Sequence, residues 1–160
     1  MDTIGKATRL IGLNMSKEKQ GGENAIPAGG TVSSDAGFSD ARGLLRIIRE
    51  GFPAATVAFI VDSGRLSPVE VDRVVLPRKT LANRRKVGTL TAEQSDRLLR
   101  VARIIAAADE VFGHAEKADA WLRRATSALS GEKPLDLLDT EEGAREVETL
   151  LTRIGHGIAA

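Results

Sequence analysis

Large apolar residues recur along most of this chain at the three- and four-residue spacings of helices. Behind Ser39 or Asp40, the run SDARGLLRIIREGF places Leu44, Leu45, Ile47 and Ile48 at such spacings, and Gly51 and Pro53 then punctuate it. AATVAFIVDSG reads as a second helix ending at Gly64, with a strand over its β-branched VAFIV as the lesser alternative. Ser67 with Pro68 opens a short helix, SPVEVDRVVL, and Pro77 closes it and starts another, PRKTLANRRKVG. Thr91 and Gln94 form the T-x-x-Q capping box of a long helix, TAEQSDRLLRVARIIAAADEVFG, stopped by Gly113. Its apolar positions cover more than one stripe, so it is expected to be buried on two sides, as a spine between two modules or as a dimer seam. AEKADAWLRRATSAL reads as one further amphipathic helix, SGEKPLDLLDT as a loop or short turn, and Thr140 as the cap of a last helix, EEGAREVETLLTRIG. The expected class is all-α.

Residues 20–40 break this rhythm with five glycines, three serines and few large apolar side chains, a composition that cannot offset its ordering entropy by burial. The expected division is therefore a flexible arm over 1–38, a helix-turn-helix domain with its spine over 39–108, and a second helical module over 109–160. A short helix near Gly5 to Leu13 fits the pattern, with nothing obliging it to pack on the rest. No stretch approaches the ~18 apolar residues of a membrane span, and the first twenty residues lack the apolar core of a signal peptide. With zero cysteines there is no disulfide framework and no thiolate chemistry, and the expected location is the cytoplasm.

The formal net charge of +1 hides an asymmetry. Residues 65–103 hold ten Lys and Arg against four Asp and Glu, whereas 109–160 hold six against eleven. A fixed positive field attracts phosphates and a negative one repels them, so the two halves are suited to different partners.

The basic peak is PRKTLANRRK, Pro77 to Lys86, the second of two short helices with almost no linker between them, which is the outline of a helix-turn-helix. With Leu81 facing inward, Lys79, Asn83 and Lys86 fall on the far side, with Thr80 beside them and Arg78 at the exposed start. Arginine can bridge the two acceptors of guanine and asparagine can pair with adenine, so Arg78, Lys79 and Asn83 are candidates to read bases. Arg84, Arg85 and Lys86 are candidates for phosphates, joined by Ser67 and Thr80. Specific binding by so few contacts calls for a dimer on two half-sites, with the long apolar helix as its seam.

The last third has no nucleophile-base pairing and no metal-ligand cluster. His114 and His156 stand alone, so neither catalysis, nor a metal, nor a cofactor is expected. Asp136, Asp139, Glu141 and Glu142 read as helix-start charges. What remains is a small acidic module with apolar residues to spare, suited to binding protein.

The phrases QSDRLLR, AWL, KPLDLLDT and GAREVETLLTRIGHG, in this order over roughly 40–160, closely resemble antitoxins of the Xre/MbcA/ParS type. The resemblance implies an Xre-like helix-turn-helix followed by a toxin-binding domain, a partner of the NAD-depleting RES-domain type, and repression of the protein's own operon. It implies that Arg145, Glu148, Arg153, His156 and Gly157 face the toxin pocket, while Trp121, Pro134, Leu135 and Leu138 shape the module presenting them. The sequence departs from the family pattern where VVLPRKTL runs straight from Leu76 to Pro77, one residue shorter and without the glycine usual in that turn. The competing reading is a stand-alone transcription regulator whose last module only dimerises or senses a signal.

Overall fold

A computed structural model describes residues 2–13 and 41–157. The described residues form eight α-helices, α1 (Thr3–Leu10), α2 (Ala41–Glu50), α3 (Ala55–Asp62), α4 (Pro68–Val74), α5 (Arg78–Val87), α6 (Ala92–Phe112), α7 (Ala115–Leu122) and α8 (Glu141–Gly155). Two 3-10 turns, Ser127–Leu129 and Pro134–Asp139, connect the last two helices. The described residues contain no β-strand, only one isolated bridge between Pro53 and Thr89, and VAFIV lies within α3. The expected cap of α2 at Ser39 or Asp40, and most of the expected N-terminal arm, lie outside the described residues.

The 21-residue α6 organises the rest. Its start is fixed as the T-x-x-Q pattern predicts: Thr91 Oγ1 accepts from the Gln94 amide, and the Gln94 side chain accepts from the Thr91 amide. Gly113 ends it in the left-handed conformation. Between these ends Leu98, Leu99, Val101, Ala102, Ile104, Ile105, Ala106 and Ala108 are buried. They are covered by α1, α2, α7 and α8 of the same chain. The long helix is therefore a spine; its apolar stripes are filled from within and do not form a seam for a second copy.

The first helix departs most from expectation. Asp2 caps it through the Gly5 amide at 2.8 Å, and Ala7, Thr8 and Ile11 are completely buried against the core. Lys6 Nζ lies 2.8 Å from Glu110 on α6, and the Thr3 hydroxyl donates to the same carboxylate at 3.3 Å. This helix is part of the packed body.

The α7 region is also shorter than its periodicity suggests. The helix stops at Leu122, the Arg123 amide closing back on the Asp119 carbonyl and the Arg124 amide on that of Trp121, and Thr126 is extended. Leu129 then drops into the core on the first 3-10 turn, and Ser130 takes a positive φ of 57° to let the chain return. The expected loop at KPLDLLD is the second 3-10 turn, with Pro134, Leu135 and Leu138 buried. Thr140 then caps α8 by accepting from the Gly143 amide at 3.0 Å.

Two glycines sit where backbones touch. A Cβ at Gly51, whose φ is +91°, would lie 2.1 Å from the Leu90 carbonyl oxygen, because residues 52–54 pair with 88–90 and so pin the end of α5. A Cβ at Gly143 would lie 2.1 Å from the Leu137 carbonyl oxygen, where α8 lies against the preceding 3-10 turn. The glycine of GAREVE thus has a packing reason. Gly143→Ala is expected to lower stability by about 3 kcal/mol, the upper range of overpacking costs, measured as a shift in the urea midpoint.

Candidate functional site

The pair α4 and α5 forms the helix-turn-helix. Ser67 and Glu70 make a complete capping box at the start of α4, with Pro68 at the first helical position. Ser67 is thus a structural cap whose oxygen accepts from the Glu70 amide, and any phosphate contact is left to its hydroxyl proton. Between the helices stand Val75, Leu76 and Pro77. Val75 and Leu76 are buried, and no residue of this turn has a positive φ, which is why it needs no glycine. The start of α5 has no side-chain cap from Pro77; instead the Asp72 carboxylate of α4 accepts from the Arg78 amide.

Leu81 is buried, as the inward-facing residue should be, and Arg78, Lys79, Asn83, Arg85 and Lys86 are exposed. Thr80 and Arg84 are half-buried, with the Arg84 Nε shielded from solvent and without a protein hydrogen-bond partner. Arg78 and Arg85 flank a shallow groove of about 290 Å³ floored by Val71, Leu76 and Leu81. The exposed side chains of α5 span a helix about 15 Å long, a length that fits a major groove.

On the opposite module, α8 buries Ala144, Val147, Leu150 and Leu151 and turns its other side outward. Arg145, Glu148, Arg153 and His156 all lie on that exposed side, and Gly157 follows with a φ of 70°. Arg145 is held near Glu141 at 3.6 Å and Glu142 at 3.5 Å, and Glu148 lies 3.7 Å from Arg103 of α6. Trp121 is half-buried, its ring 5.4 Å from that of Phe112, while Pro134, Leu135 and Leu138 are buried beneath. The structure thus separates the expected C-terminal set into an outward polar group and an inward supporting group.

Sequence reasoning missed a third group of polar residues, lying between the two modules. The Arg123 guanidinium grips Glu70 with two bonds, Nε to Oε1 at 2.7 Å and Nη2 to Oε2 at 2.9 Å. The same Nη2 donates to the Arg65 carbonyl at 3.1 Å. Arg65, whose side chain is 9% exposed, lies 2.7 Å from Asp109 and 3.3 Å from Asp119. Arg73 of α4 pairs with Asp136 of the second 3-10 turn. These partners are 44 to 63 residues apart, beyond the reach of helical spacing, and no local signal could pair them. Burial opposes ionisation of Glu70, but the Arg123 fork and the Ser67 amide outweigh it and hold the carboxyl below its ordinary range. At Asp119 burial wins over the attraction of Arg65 and Arg123, and the carboxyl is pushed up.

An exposed basic helix in a helix-turn-helix and a separate helical module on one spine are the architecture of a helix-turn-helix protein with a second exposed polar surface. Residues 43–103 match the Antitoxin Xre-like helix-turn-helix domain, and 107–157 match the Antitoxin Xre/MbcA/ParS C-terminal toxin-binding domain. The chain is 40% identical over 111 residues to an Antitoxin Xre of Pseudomonas putida, covering 69% of each protein. It is 33% identical over 129 residues to an Antitoxin Xre of Photorhabdus laumondii, covering 78% of this chain and 87% of the relative. A more distant match, 32% over 80 residues and half of the relative's length, is to a Prs ADP-ribosylating antitoxin of a Sphingobium species. The chain belongs to the Xre antitoxin family and is the antitoxin of a toxin–antitoxin system. No helix among its described residues is long and apolar enough to cross a membrane.

Because the folded-state value of Glu70 is lowered, its contribution to stability is complete above the ordinary carboxylate range, near ~4.3, and is lost as pH falls through the lowered value. Asp119 works in the opposite sense, since acid relieves its burial. Glu70→Gln is therefore expected to flatten the acid limb of the stability curve below the ordinary carboxylate range, read as urea midpoints at a series of acid pH values. An unchanged limb would show that the fork contributes nothing.

Proposed function

We propose that this antitoxin neutralises an NAD-degrading toxin of the RES type by placing the end of α8 at the toxin's active site, and that it represses its own operon through α5. The observation that supports this reading is the presence of two exposed polar helices of different character on one spine. One is basic and belongs to a helix-turn-helix; the other is mixed in charge and belongs to the toxin-binding domain.

On this reading Arg78, Lys79 and Asn83 read base edges, and Arg84, Arg85 and Lys86, with Ser67 and Thr80, hold phosphates. Arg145, Glu148, Arg153, His156 and Gly157 meet the toxin, Arg153 standing in the last turn of α8 and His156 at its cap. An arginine there matches a pocket shaped for an anionic dinucleotide. Trp121, Pro134, Leu135 and Leu138 keep α8 at its angle. The protein acts by occlusion and carries out no bond-making step itself. Two copies bind the operator together, through a surface other than the covered face of α6.

Inducing the adjacent open reading frame with and without this protein, while following growth and total cellular NAD, tests the reading. NAD is expected to collapse with the neighbour alone and to recover on co-expression. Reversing Arg153 to Glu should abolish the rescue and leave repression intact. Alanine at Arg78, Lys79 and Asn83 should weaken operator binding by a hundredfold or more, each base contact being worth about 1–3 kcal/mol, and leave the rescue intact. If neither growth nor NAD responds to the neighbour, the stand-alone regulator is the better account.

A further inference from the structure

The short helix α4 is held on two sides by side chains with different allegiances. Toward the recognition helix, its Asp72 carboxylate accepts the first amide of α5, and Val71 and Val74 are buried in the same core as Leu76 and Leu81. Any tilt of α4 must therefore carry α5 with it. Toward the other module, Glu70 lies in the fork of Arg123, and Arg73 pairs with Asp136. Both of these partners fall within 107–157, the stretch that matches the toxin-binding domain.

An isolated ion pair at a surface contributes little. The Arg123 fork differs in three respects. It is bidentate, its two side chains are only 35% and 18% exposed, and the Glu70 oxygen it grips also accepts from the Ser67 amide at 2.7 Å. The fork thus fixes the first turn of α4 through the capping box itself. The guanidinium is braced in turn by the Arg65 carbonyl and by Asp119 at 3.5 Å, and Arg65 ties both to the spine through Asp109.

We propose that Arg123 and Asp136, residues of the toxin-binding domain, are positioning residues for operator reading: through Glu70 and Arg73 they set the angle at which α4 presents α5 to DNA. The proposal rests on the reading of α5 as the DNA-reading helix. Base contacts weaken steeply with small errors of distance and angle, so an α4 free to rock would blur base readout while leaving phosphate attraction in place.

The sign of one substitution separates this from a simple charge effect. Removing a negative charge from a DNA-binding protein strengthens its attraction to phosphates. Glutamine at position 70 keeps a side chain competent for the capping box but loses the charged fork. On charge alone, Glu70→Gln and Asp136→Asn should bind DNA more tightly; on positioning, they should bind the specific site more weakly.

The test uses the full-length protein, a duplex covering the region upstream of its own gene, and a scrambled duplex of equal length, read by fluorescence anisotropy at one fixed salt concentration. Glu70→Gln and Asp136→Asn are each expected to weaken binding to the upstream duplex about tenfold, without weakening binding to the scrambled one. The double variant Glu70→Gln with Arg123→Met should bind no more weakly than Arg123→Met alone, because the two share one contact. Should Arg123→Met fail to fold, Asp136→Asn decides, since its pair with Arg73 is the more exposed of the two links.

Upstream-duplex binding equal to or tighter than wild type in both charge-removing variants overturns the positioning role. Arg78→Ala with Asn83→Ala, run in parallel, shows where the failure lies. If that variant loses the upstream duplex while the others keep it, positioning alone is wrong. If it too binds like wild type, or if wild type shows no preference between the duplexes, the DNA-reading assignment of α5 falls and the positioning role falls with it.

Discussion

The burial of the apolar stripes of α6 under α1, α2, α7 and α8 is the constraint from which the rest of the structure follows. The two stretches that match family domains cover residues 43–103 and 107–157, each about the size at which a chain struggles to bury a core of its own. Here neither needs to. Buried side chains from Ala7 on α1 to Leu151 on α8 form one continuous cluster, and α6 passes through it. The run Ala106-Ala107-Ala108 keeps the second half of the spine narrow where α1, α7 and α8 gather around it. The gap between the two matched stretches falls inside this helix, so the division between modules is one of surface, with a shared interior.

Because the interior is shared, the polar contacts between modules can be few and specific. They gather where α4 meets α7 and the second 3-10 turn and where α6 meets α8, and they combine cations of the basic half, Arg65, Arg73, Arg100 and Arg103, with anions of the acidic half, Asp109, Asp119, Asp136, Glu141 and Glu148. The Arg123 fork crosses in the other direction to Glu70. The charge asymmetry along the chain has two uses: it presents a basic helix to one side, and it joins the halves where they meet.

Much of this was legible in local sequence because local chemistry decides it. The cap at Ser67, the capping box at Thr91, the cap at Thr140 and the stop at Gly113 each involve residues within four positions of one another, and each helix began or ended where they indicated. The outward face of α5 followed from Leu81 alone. What periodicity misjudged was decided at a distance. The stretch after Trp121 has helical spacing, yet Leu129 gains more from entering the core on a 3-10 turn than from prolonging α7. The docking of α1 depends on Glu110 and on an apolar face of α6, neither visible from the first thirteen residues. The spine's two readings could be told apart only by seeing what covered it, and the polar lock joins positions that no spacing rule connects.

The tilted ring contact of Phe112 and Trp121 has a spectroscopic meaning as well as a packing one. Trp121 is the sole tryptophan, and the chain contains no tyrosine. Nearly all of its near-ultraviolet absorbance and intrinsic emission therefore comes from one indole, seated near the end of α7 against Phe112 at the end of the spine, two residues from Arg123 on one side and from Asp119 on the other. A change in that emission reports on a single place in the molecule. Loosening of the junction between the two modules can thus be followed in the unlabelled protein.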